Sequence, residues 1–225
     1  KNDALIIFAA CLLTNKPVAI ARVPEIEDVF RTVELLKELG CSVEHPGPGT
    51  YRVCAKKITS TRINQKISQR LRASVTLTGP LLAREGKVSF PHPGGCVIGK
   101  RPLDVFLDGY RALGASVRQR GEYYEINAPT LVGTNVFFHS ISVTGTESLI
   151  MAAVLAKGKT VLTNCACEPE VVSLVCFLNS CGAKITGAGT TTITIIGVPR
   201  LSGGTHKVIP DRIEAGSWDY RWVAC

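Results

Sequence analysis

The sequence contains three copies of one pattern, and this repeat constrains the fold more than any other feature. The segments LLKELGCSVEH (35–45), GYRALGASVRQ (109–119) and FLNSCGAKITG (177–187) each contain the end of an amphipathic helix, a glycine and the start of a strand. Glycine is favoured directly after a helix because it adopts the left-handed conformation without strain. The copies lie too far apart for a short solenoid repeat, so each is predicted to be one unit of a larger domain. A proline precedes each helix, as is common at helix starts: Pro24, Pro102 and Pro169.

A second type of segment precedes each of these helices and is apolar on nearly every side. Residues 3–16 and 144–158 are predicted to be helices without a polar face, and such helices are buried all round. Residues 72–86 fit this pattern less well, because SVTLT alternates and Pro80 would interrupt a helix interior. The longest apolar run, residues 4–13, is too short to span a bilayer.

Short β-rich runs lie between and after the helices: PVAIARV, KVSFPH, YYEINAP, KTVLTNC and TTITIIGV. The predicted fold class is therefore α/β (α+β), with three βαβαββ units. One buried and one amphipathic helix per unit predict a pseudo-threefold inside-out barrel, with helices buried inside and sheets outside. The units cover about residues 1–58, 59–130 and 131–200, followed by a hinge-like segment, 201–216, and a tail, 217–225.

Lysine and arginine exceed aspartate and glutamate by 26 − 18 = 8 residues. This surplus suits an anionic partner such as a phosphate, a nucleotide, a nucleic acid or a membrane surface. No run of five or more basic residues occurs, and aromatic residues make up only 6% of the chain, which argues against base-stacking surfaces. We therefore expect neither a nucleic acid nor a membrane as partner.

The nine cysteines form no C-x-x-C pair, and none has a histidine at a zinc-like spacing, so we expect no metal site. Their odd number and the absence of a signal peptide in this sequence argue against a secreted disulfide framework. Most of them are predicted to be small apolar core residues of a cytoplasmic protein.

Cys96 differs from the other cysteines because it lies in an irregular loop, PHPGGCVIGKRP (91–102). The glycines before it allow exposure and movement, and Lys100 and Arg101 favour a thiolate. From these residues alone, Cys96 is either a nucleophile or proton donor, or a turn cysteine without chemistry.

Two arginines stand at predicted helix starts, where backbone N–H groups attract anions. Arg101 and Pro102 open a helix with Asp104 in its first turn, and Arg72 begins the second apolar segment. Each arginine either contacts an anion or is simply solvated.

The sequence from Ser142 to Glu147 has the form of a helix cap. Such a sequence offers hydroxyl and N–H groups to a phosphate, but it is more often only a cap. Lys1 and Asn2 also precede a buried helix and on their own carry no weight. The four histidines are scattered and form no triad pattern.

Several segments resemble one family, the UDP-N-acetylglucosamine 1-carboxyvinyltransferases, which are the enolpyruvyl transferases of peptidoglycan synthesis. The resemblance runs from Lys1 to about Gly216, and the cysteine loop is its most specific part. Members of this family have two lobes, each with three such units, so the chain looks like one lobe, 1–216, and the second lobe is missing. The similar segments are KNDAL, LRASVTLTGPLLAREGK, PGGCVIGKRPLD, TGTESLIMAAVLAKG, CEPEVVSLVCFLNSCGAKITGAGT and VIPDRIEAG.

The resemblance implies a reaction without metal or organic cofactor, in which the 3′-hydroxyl of UDP-N-acetylglucosamine adds to C2 of phosphoenolpyruvate and phosphate leaves. Cys96 would donate the proton, form an adduct with phosphoenolpyruvate and be alkylated by fosfomycin. Lys1 and Arg101 would join Cys96 as catalytic residues, and together with Arg72 they would bind phosphoenolpyruvate. The UDP-sugar would contact Asn2, Arg101, Pro102, Leu103, Asp104, Val105, Ser142 and Val143.

Two departures from the family bear on this expectation. Ser140 stands where the family often has lysine. The second lobe, with its aspartate near the sugar hydroxyl and further arginines, is not in this sequence, so we expect the chain alone to be inactive. The alternatives are a non-catalytic module that binds a nucleotide sugar or a protein and, third, a 3-phosphoshikimate 1-carboxyvinyltransferase.

Overall fold

The computed structural model describes residues 1–92 and 103–223, with side chains up to residue 217 outside the gap. Cys96, Arg101 and Pro102 lie outside the described residues.

Helices and strands alternate along the chain, and two short 3₁₀ segments, Cys11–Leu13 and Arg72–Leu77, flank the internal helices. The helices are α1 Asn2–Ala10, α2 Glu27–Glu38, α3 Gln65–Ser68, α4 Thr78–Glu85, α5 Asp104–Ala112, α6 Val143–Ala153, α7 Pro169–Ser180 and α8 Arg212–Val223. The strands are β1 Val18–Ala21, β2 Ser42–Gly47, β3 Thr50–Cys54, β4 Lys87–Pro91, β5 Ser116–Arg120, β6 Tyr123–Asn127, β7 Asn135–Phe137, β8 Lys159–Thr163, β9 Lys184–Thr186, β10 Thr192–Ile196 and β11 Gly204–Lys207.

Three sheets repeat one strand order, which confirms the threefold pattern of the sequence. The orders are β11-β1-β3-β2, β4-β6-β5 and β7-β8-β10-β9. In the first and third sheets a parallel pair comes first and antiparallel pairs follow. In the second sheet, a parallel bridge from Arg62 to Ser89 on β4 takes the place of the first strand. Each sheet therefore has the strand arrangement of one repeat, although the first sheet takes β11 from outside residues 1–58.

The glycines that follow the amphipathic helices adopt the predicted left-handed conformation. Gly40, Gly114 and Gly182 have φ values of 98°, 94° and 99°. The predicted prolines are less uniform: Pro169 is the first residue of α7, whereas Pro24 lies three residues before α2 begins. The helix ends were thus predicted more accurately than the starts.

The segment that was predicted to be hinge-like contains a strand and part of a helix. β11 lies parallel to β1, with Gly204 opposite Val18 and Lys207 opposite Ala21, and α8 begins at Arg212. The first sheet is thus completed by a strand from near the end of the chain. The sequence GTHK contains little of the β-branched and aromatic character that predicts strands. The hinge role of residues 201–216 stays a prediction.

The internal helices form the core, as predicted. Every residue of α1 after Asn2 is buried, and so is every residue of α6 after Thr144. The ambiguous segment 72–86 is helical from Arg72 to Glu85, with a 3₁₀ portion followed by α4, and Gly86 ends the helix. Pro80 is tolerated because it lies in the first turn of α4, where backbone N–H groups need no partner within the helix.

Glycine at position 79 allows α4 and α6 to approach closely. A Cβ atom at Gly79 would lie 2.3 Å from the carbonyl oxygen of Ser148, a distance that real Cβ atoms do not reach. A second contact holds α4 to α5, where the hydroxyl groups of Thr78 and Tyr110 lie 2.7 Å apart in the core. The internal helices are therefore fixed in position by close packing.

Within residues 1–92 and 103–223, no helix is both long and apolar enough to cross a membrane.

Candidate functional site

The starts of three internal segments meet at one end of the core and line a cavity of about 550 Å³. These segments are α1, the 3₁₀ segment Arg72–Leu77 and α6, and residues of α5, α7 and α8 complete the wall. Helix starts carry unpaired N–H groups and the positive end of the helix dipole. The cavity wall is therefore suited to an anion. Its charged residues are Arg72, Glu147, Glu170 and Arg212.

The carboxyl end of the first of these segments, where α1 continues into Cys11–Leu13, meets an arginine. Arg84 donates hydrogen bonds to the carbonyl oxygens of Leu12 and Thr14, both at 3.0 Å, and to that of Lys56 at 3.2 Å. A cation at helix carboxyl ends satisfies carbonyl groups and matches the negative end of the dipole. The two ends of the core thus differ in electrostatic character, with the anion-favouring end at the cavity.

Five of the residues predicted from the sequence line this cavity: Asn2, Arg72, Val105, Ser142 and Val143. Ser140, which stands where a lysine is common in the resembling family, also lies in the wall. These residues come from four parts of the chain, and the fold places them in the wall of one cavity.

Ser142 confirms the predicted cap. Its Oγ accepts a hydrogen bond from the N–H of Gly145 at 3.1 Å, and its side chain lines the cavity. The first turn of α6 therefore combines the two roles that the sequence left open, a helix cap and part of an anion-favouring wall.

The remaining predicted residues lie beside the cavity or outside the described residues. Leu103 is buried directly before α5, and Asp104 lines a neighbouring cavity of about 430 Å³. As far as residues 1–92 and 103–217 define it, the wall of the main cavity does not include Lys1. Lys1 Nζ lies 2.6 Å from Asp28 Oδ2, and half of the Lys1 side chain is exposed. Cys96, Arg101 and Pro102 lie outside the described residues.

The sequence interpretation missed Glu170 and Arg212. Glu170, at the start of α7, contacts Asn2 of α1 and Arg212 of α8. Glu170 Oε1 accepts a hydrogen bond from Asn2 Nδ2 at 3.4 Å, and Glu170 Oε2 accepts one from Arg212 Nε at 3.2 Å. Glu170 is only 4% exposed. A buried carboxylate with two donors holds both of them in place. The available signal was a charged residue directly after Pro169, at the start of a mostly apolar helix.

Glu147 is a second carboxyl group in the wall that the sequence interpretation did not select. It lies in the first turns of α6 and is 4% exposed. Burial, together with the nearby carboxylates Glu170, Asp3 and Glu168, raises the pKa of Glu147 to about 8. The Glu147 carboxyl group is therefore mostly protonated at neutral pH.

Asp3 joins α1 to the segment that contains β11. Its Oδ2 lies 2.9 Å from His206 Nε2 and accepts a hydrogen bond of 2.9 Å from the N–H of Ile209. Asp3 is 2% exposed, directly after the cavity residue Asn2. These contacts fix the start of α1, and thereby one side of the cavity, to the segment from His206 to Ile209.

Seven of the nine cysteines lie among the described residues, and all seven are free thiols. Cys11, Cys41, Cys165 and Cys181 are buried, as predicted for small core residues. Burial raises the pKa of Cys41 to about 12 and that of Cys165 to about 11, so neither is a reactive thiolate. In residues 1–92 and 103–217, no three His, Cys, Asp or Glu side chains are grouped closely enough to hold a metal ion.

Relatives identified by sequence cover nearly all of the chain. A UDP-N-acetylglucosamine 1-carboxyvinyltransferase from Coxiella burnetii (strain Dugway 5J108-111) is 45% identical over 219 residues, 97% of this chain and 50% of that protein. A UDP-N-acetylglucosamine 1-carboxyvinyltransferase 2 from Carboxydothermus hydrogenoformans is 47% identical over 218 residues, 97% of this chain and 52% of that protein. The chain therefore spans about half the length of the curated relatives it matches.

Solved structures show the same fold at lower sequence identity. The enolpyruvyl transferase NikO from Streptomyces tendae matches with a TM-score of 0.84 at 20% identity, over 96% of this chain and 52% of that chain. An EPSP synthase from Acinetobacter baumannii matches with a TM-score of 0.69 at 20% identity, over 92% of this chain and 47% of that chain. These matches confirm the predicted arrangement of helices and sheets.

The family model for EPSP synthase (3-phosphoshikimate 1-carboxyvinyltransferase) matches residues 1–220. The match extends past Gly216, where we expected the similarity to end, so residues 217–220 of the predicted tail lie inside it. Together with the three repeated sheets and the cavity at the helix starts, this match shows that the chain belongs to the EPSP synthase family of carboxyvinyltransferases.

Proposed function

We propose that the chain is one lobe of a UDP-N-acetylglucosamine 1-carboxyvinyltransferase, the enzyme that begins peptidoglycan synthesis. The observation that carries the proposal is the cavity at the starts of α1, Arg72–Leu77 and α6, which favours anions and collects Asn2, Arg72 and Ser142. Both proposed substrates, phosphoenolpyruvate and UDP-N-acetylglucosamine, are anions. Relatives at 45% and 47% identity bear this enzyme's name.

In the proposed reaction, the sugar 3′-hydroxyl gives up its proton to a general base and forms a C–O bond to C2 of phosphoenolpyruvate, while C3 takes a proton from an acid. Loss of a proton from C3 and departure of phosphate then restore the double bond. Cys96 supplies the proton to C3 and forms the phosphoenolpyruvate adduct. Lys1, Arg72 and Arg101 bind phosphoenolpyruvate and offset the charge that develops on the carboxylate and phosphate.

The UDP-sugar lies along the starts of α1, α5 and α6 in this proposal. Asn2, Ser142 and Val143 contact it from α1 and α6, and the segment Arg101–Val105 contacts it from the start of α5. Ser140 offers a hydroxyl group where lysine would offer a positive charge, so more of the diphosphate charge falls to backbone N–H groups.

The proposal also has consequences for location and partners. The second lobe of the enzyme is the principal partner of this chain, since the relatives are about twice its length. We place the protein in the cytoplasm, which the seven free thiols support. Its role is then in cell-wall synthesis, and through it in cell shape and division.

Calorimetric titration of the chain with UDP-N-acetylglucosamine and, separately, with shikimate 3-phosphate tests the substrate class. We expect binding of the UDP-sugar and none of shikimate 3-phosphate. In a third titration, with phosphoenolpyruvate, Arg72→Ala should weaken binding by roughly tenfold or more, because a charge-assisted contact is lost. Arg52→Ala is the matched control, since Arg52 is 62% exposed on a distant strand and should leave affinity unchanged. Binding of shikimate 3-phosphate alone would contradict the proposal.

Alkylation by fosfomycin tests the role of Cys96 separately. Mass spectrometry of the treated chain should find one fosfomycin adduct on the peptide that contains Cys96 and none on Cys176, which is exposed and serves as the internal control. Cys96→Ser should abolish the adduct. Equal labelling of both cysteines would mean that Cys96 has no special reactivity.

A further inference from the structure

Glu147 is a buried carboxyl group whose position in the anion-favouring cavity the proposed reaction does not explain. It lines the cavity from α6 and is 4% exposed. Within the described residues, its carboxyl group makes no hydrogen bond or ion pair, although the neighbouring Glu170 has two donors. The carboxyl oxygens of Glu147 are not among the fully buried polar atoms, so they remain accessible from the cavity and can take a hydrogen-bond partner from a ligand.

The charged groups around Glu147 come from four elements of the wall, namely α1, Arg72–Leu77, the start of α7 and α8. Asp3 of α1 and Glu168 and Glu170 at the start of α7 are acidic and close enough to affect its titration. Among the described residues, the cations in the cavity wall are Arg72 and Arg212, and Arg212 pairs with Glu170 at 3.2 Å. An ionised Glu147 would therefore face three carboxylates and would repel an anionic ligand, whereas a neutral carboxyl group can donate a hydrogen bond.

We propose that Glu147 contacts the anionic substrate directly and donates a hydrogen bond from its protonated carboxyl group to a phosphate or carboxylate oxygen of the ligand. This inference rests on the proposed function, because it requires an anionic ligand in the cavity. Neutral Glu147 adds a donor without adding positive charge, and it does so beside the first-turn N–H groups of α6.

The proposal predicts that ligand affinity depends on pH in a defined direction. Burial raises the pKa of Glu147 to about 8, so the donor is present at pH 7 and is lost as the pH rises through that value. The bound anion keeps the proton in place, so one proton is taken up on binding above pH 8. The dissociation constant should then rise roughly tenfold between pH 7 and pH 9 through this group alone.

The test compares the chain with Glu147→Gln in calorimetric titrations with UDP-N-acetylglucosamine and with phosphoenolpyruvate at pH 7 and pH 9. Glutamine retains a donor and does not titrate. At pH 7 the affinity of Glu147→Gln for the ligand should therefore be within about threefold of that of wild type, and it should not fall tenfold between pH 7 and pH 9. Titrations in two buffers of different ionisation enthalpy measure the proton uptake, which only wild type should show at pH 9. The ligand on which Glu147→Gln changes the pH profile is the one that Glu147 contacts.

Two further variants complete the design. Glu147→Leu removes the donor and should weaken binding at pH 7 by roughly tenfold, with no pH dependence from this position. Glu44→Gln changes a carboxyl group that is 62% exposed on β2 and should behave as wild type throughout. Thermal unfolding of each variant checks that the fold is retained.

The outcomes separate this inference from the proposed function. If wild type binds neither ligand at either pH, the proposed function fails. If wild type binds and Glu147→Gln shows the same pH dependence and the same proton uptake, the proposed function survives and the role of Glu147 is disproved.

Discussion

Glu147 and Glu170 are both buried carboxyl groups in one cavity, yet their hydrogen-bond partners differ. Glu170 accepts hydrogen bonds from Asn2 and Arg212. Glu147 has only acidic neighbours among the groups that affect its pKa, so burial keeps it neutral. At the residue scale, the cavity therefore combines one carboxyl group that accepts two hydrogen bonds with one neutral carboxyl group that can donate one.

The stability of the chain should depend on the protonation of Glu147. Its pKa is about 8 in the folded chain against an ordinary value of 4.5. Between these values the folded state holds a proton that the unfolded state releases, so this group lowers stability as the pH rises from 4.5 towards 8. Relative to Glu147→Gln, the free energy of unfolding of wild type should fall by on the order of 2 kcal/mol between pH 5.5 and pH 7.5.

Urea denaturation of both proteins at the two pH values measures this difference. The glutamine variant is the internal reference, since all other titrating groups are shared. A gap between the two proteins that stays constant with pH would show that Glu147 is ionised in the folded chain throughout.

At the scale of helices and strands, close packing between α4 and α6 positions the starts of the internal segments. Gly79→Ala places a methyl group against the backbone carbonyl of Ser148 and should destabilise the chain by about 1–3 kcal/mol. Gly216→Ala is the matched control, because nothing lies within 4 Å of a Cβ atom at Gly216 in α8. The control should be neutral or stabilising by up to about 1 kcal/mol. Equal denaturation midpoints for the two variants would mean that α4 and α6 separate without penalty.

The attachment of β11 to α1 depends on Asp3. Asp3→Ala removes an acceptor from the ring of His206 and from the N–H of Ile209, and it leaves both in a mostly buried position. The expected loss of stability is about 2–4 kcal/mol, measured by urea denaturation. Asp108→Ala, which removes an exposed pair with Arg111, should change stability by less than about 1 kcal/mol. A similar effect of both substitutions would exclude Asp3 as a structural anchor.

The sequence predicted most elements because the relevant signals are local. A glycine after a helix, an apolar helix without a polar face and a β-branched run each depend on a few neighbouring residues. β11 was missed because its residues, GTHK, become a strand through pairing with β1, about 180 residues earlier in the chain. The same limit applies to Glu170 and Arg212, whose roles arise from contacts between distant segments.

The site was predicted in part, and mainly through family resemblance. Asn2, Arg72, Val105, Ser142 and Val143 converge on the cavity as expected, but periodicity alone gave no reason to bring them together. The protonation of Glu147 has no signal in the sequence, because it follows from burial and from carboxylates on α1 and at the start of α7. Such properties belong to the folded chain and cannot be read from local patterns.

At the scale of the whole molecule, the anion-favouring cavity lies at one end of the core. The chain itself spans about half the length of the curated relatives. In the proposed enzyme, the second lobe contributes further arginines and an aspartate near the sugar hydroxyl. Under the proposed function, we expect this chain alone to bind the substrates on one side only and not to hold them in the geometry that the transfer requires. A misplacement of about 1 Å can already slow a reaction roughly 100-fold.

We therefore expect the chain alone, supplied with phosphoenolpyruvate and UDP-N-acetylglucosamine, to release phosphate at least roughly 100-fold more slowly than the full-length Coxiella burnetii relative under the same conditions. The substrates should still bind, because Asn2, Arg72 and Ser142 lie within this chain. Phosphate release is measured alongside calorimetric binding. Binding without phosphate release would show a chain that holds its part of the substrate site, whereas the absence of both would show a chain that binds no substrate. Turnover close to that of the relative would mean that this chain holds the complete catalytic apparatus, and the second lobe would then have no part in the chemistry.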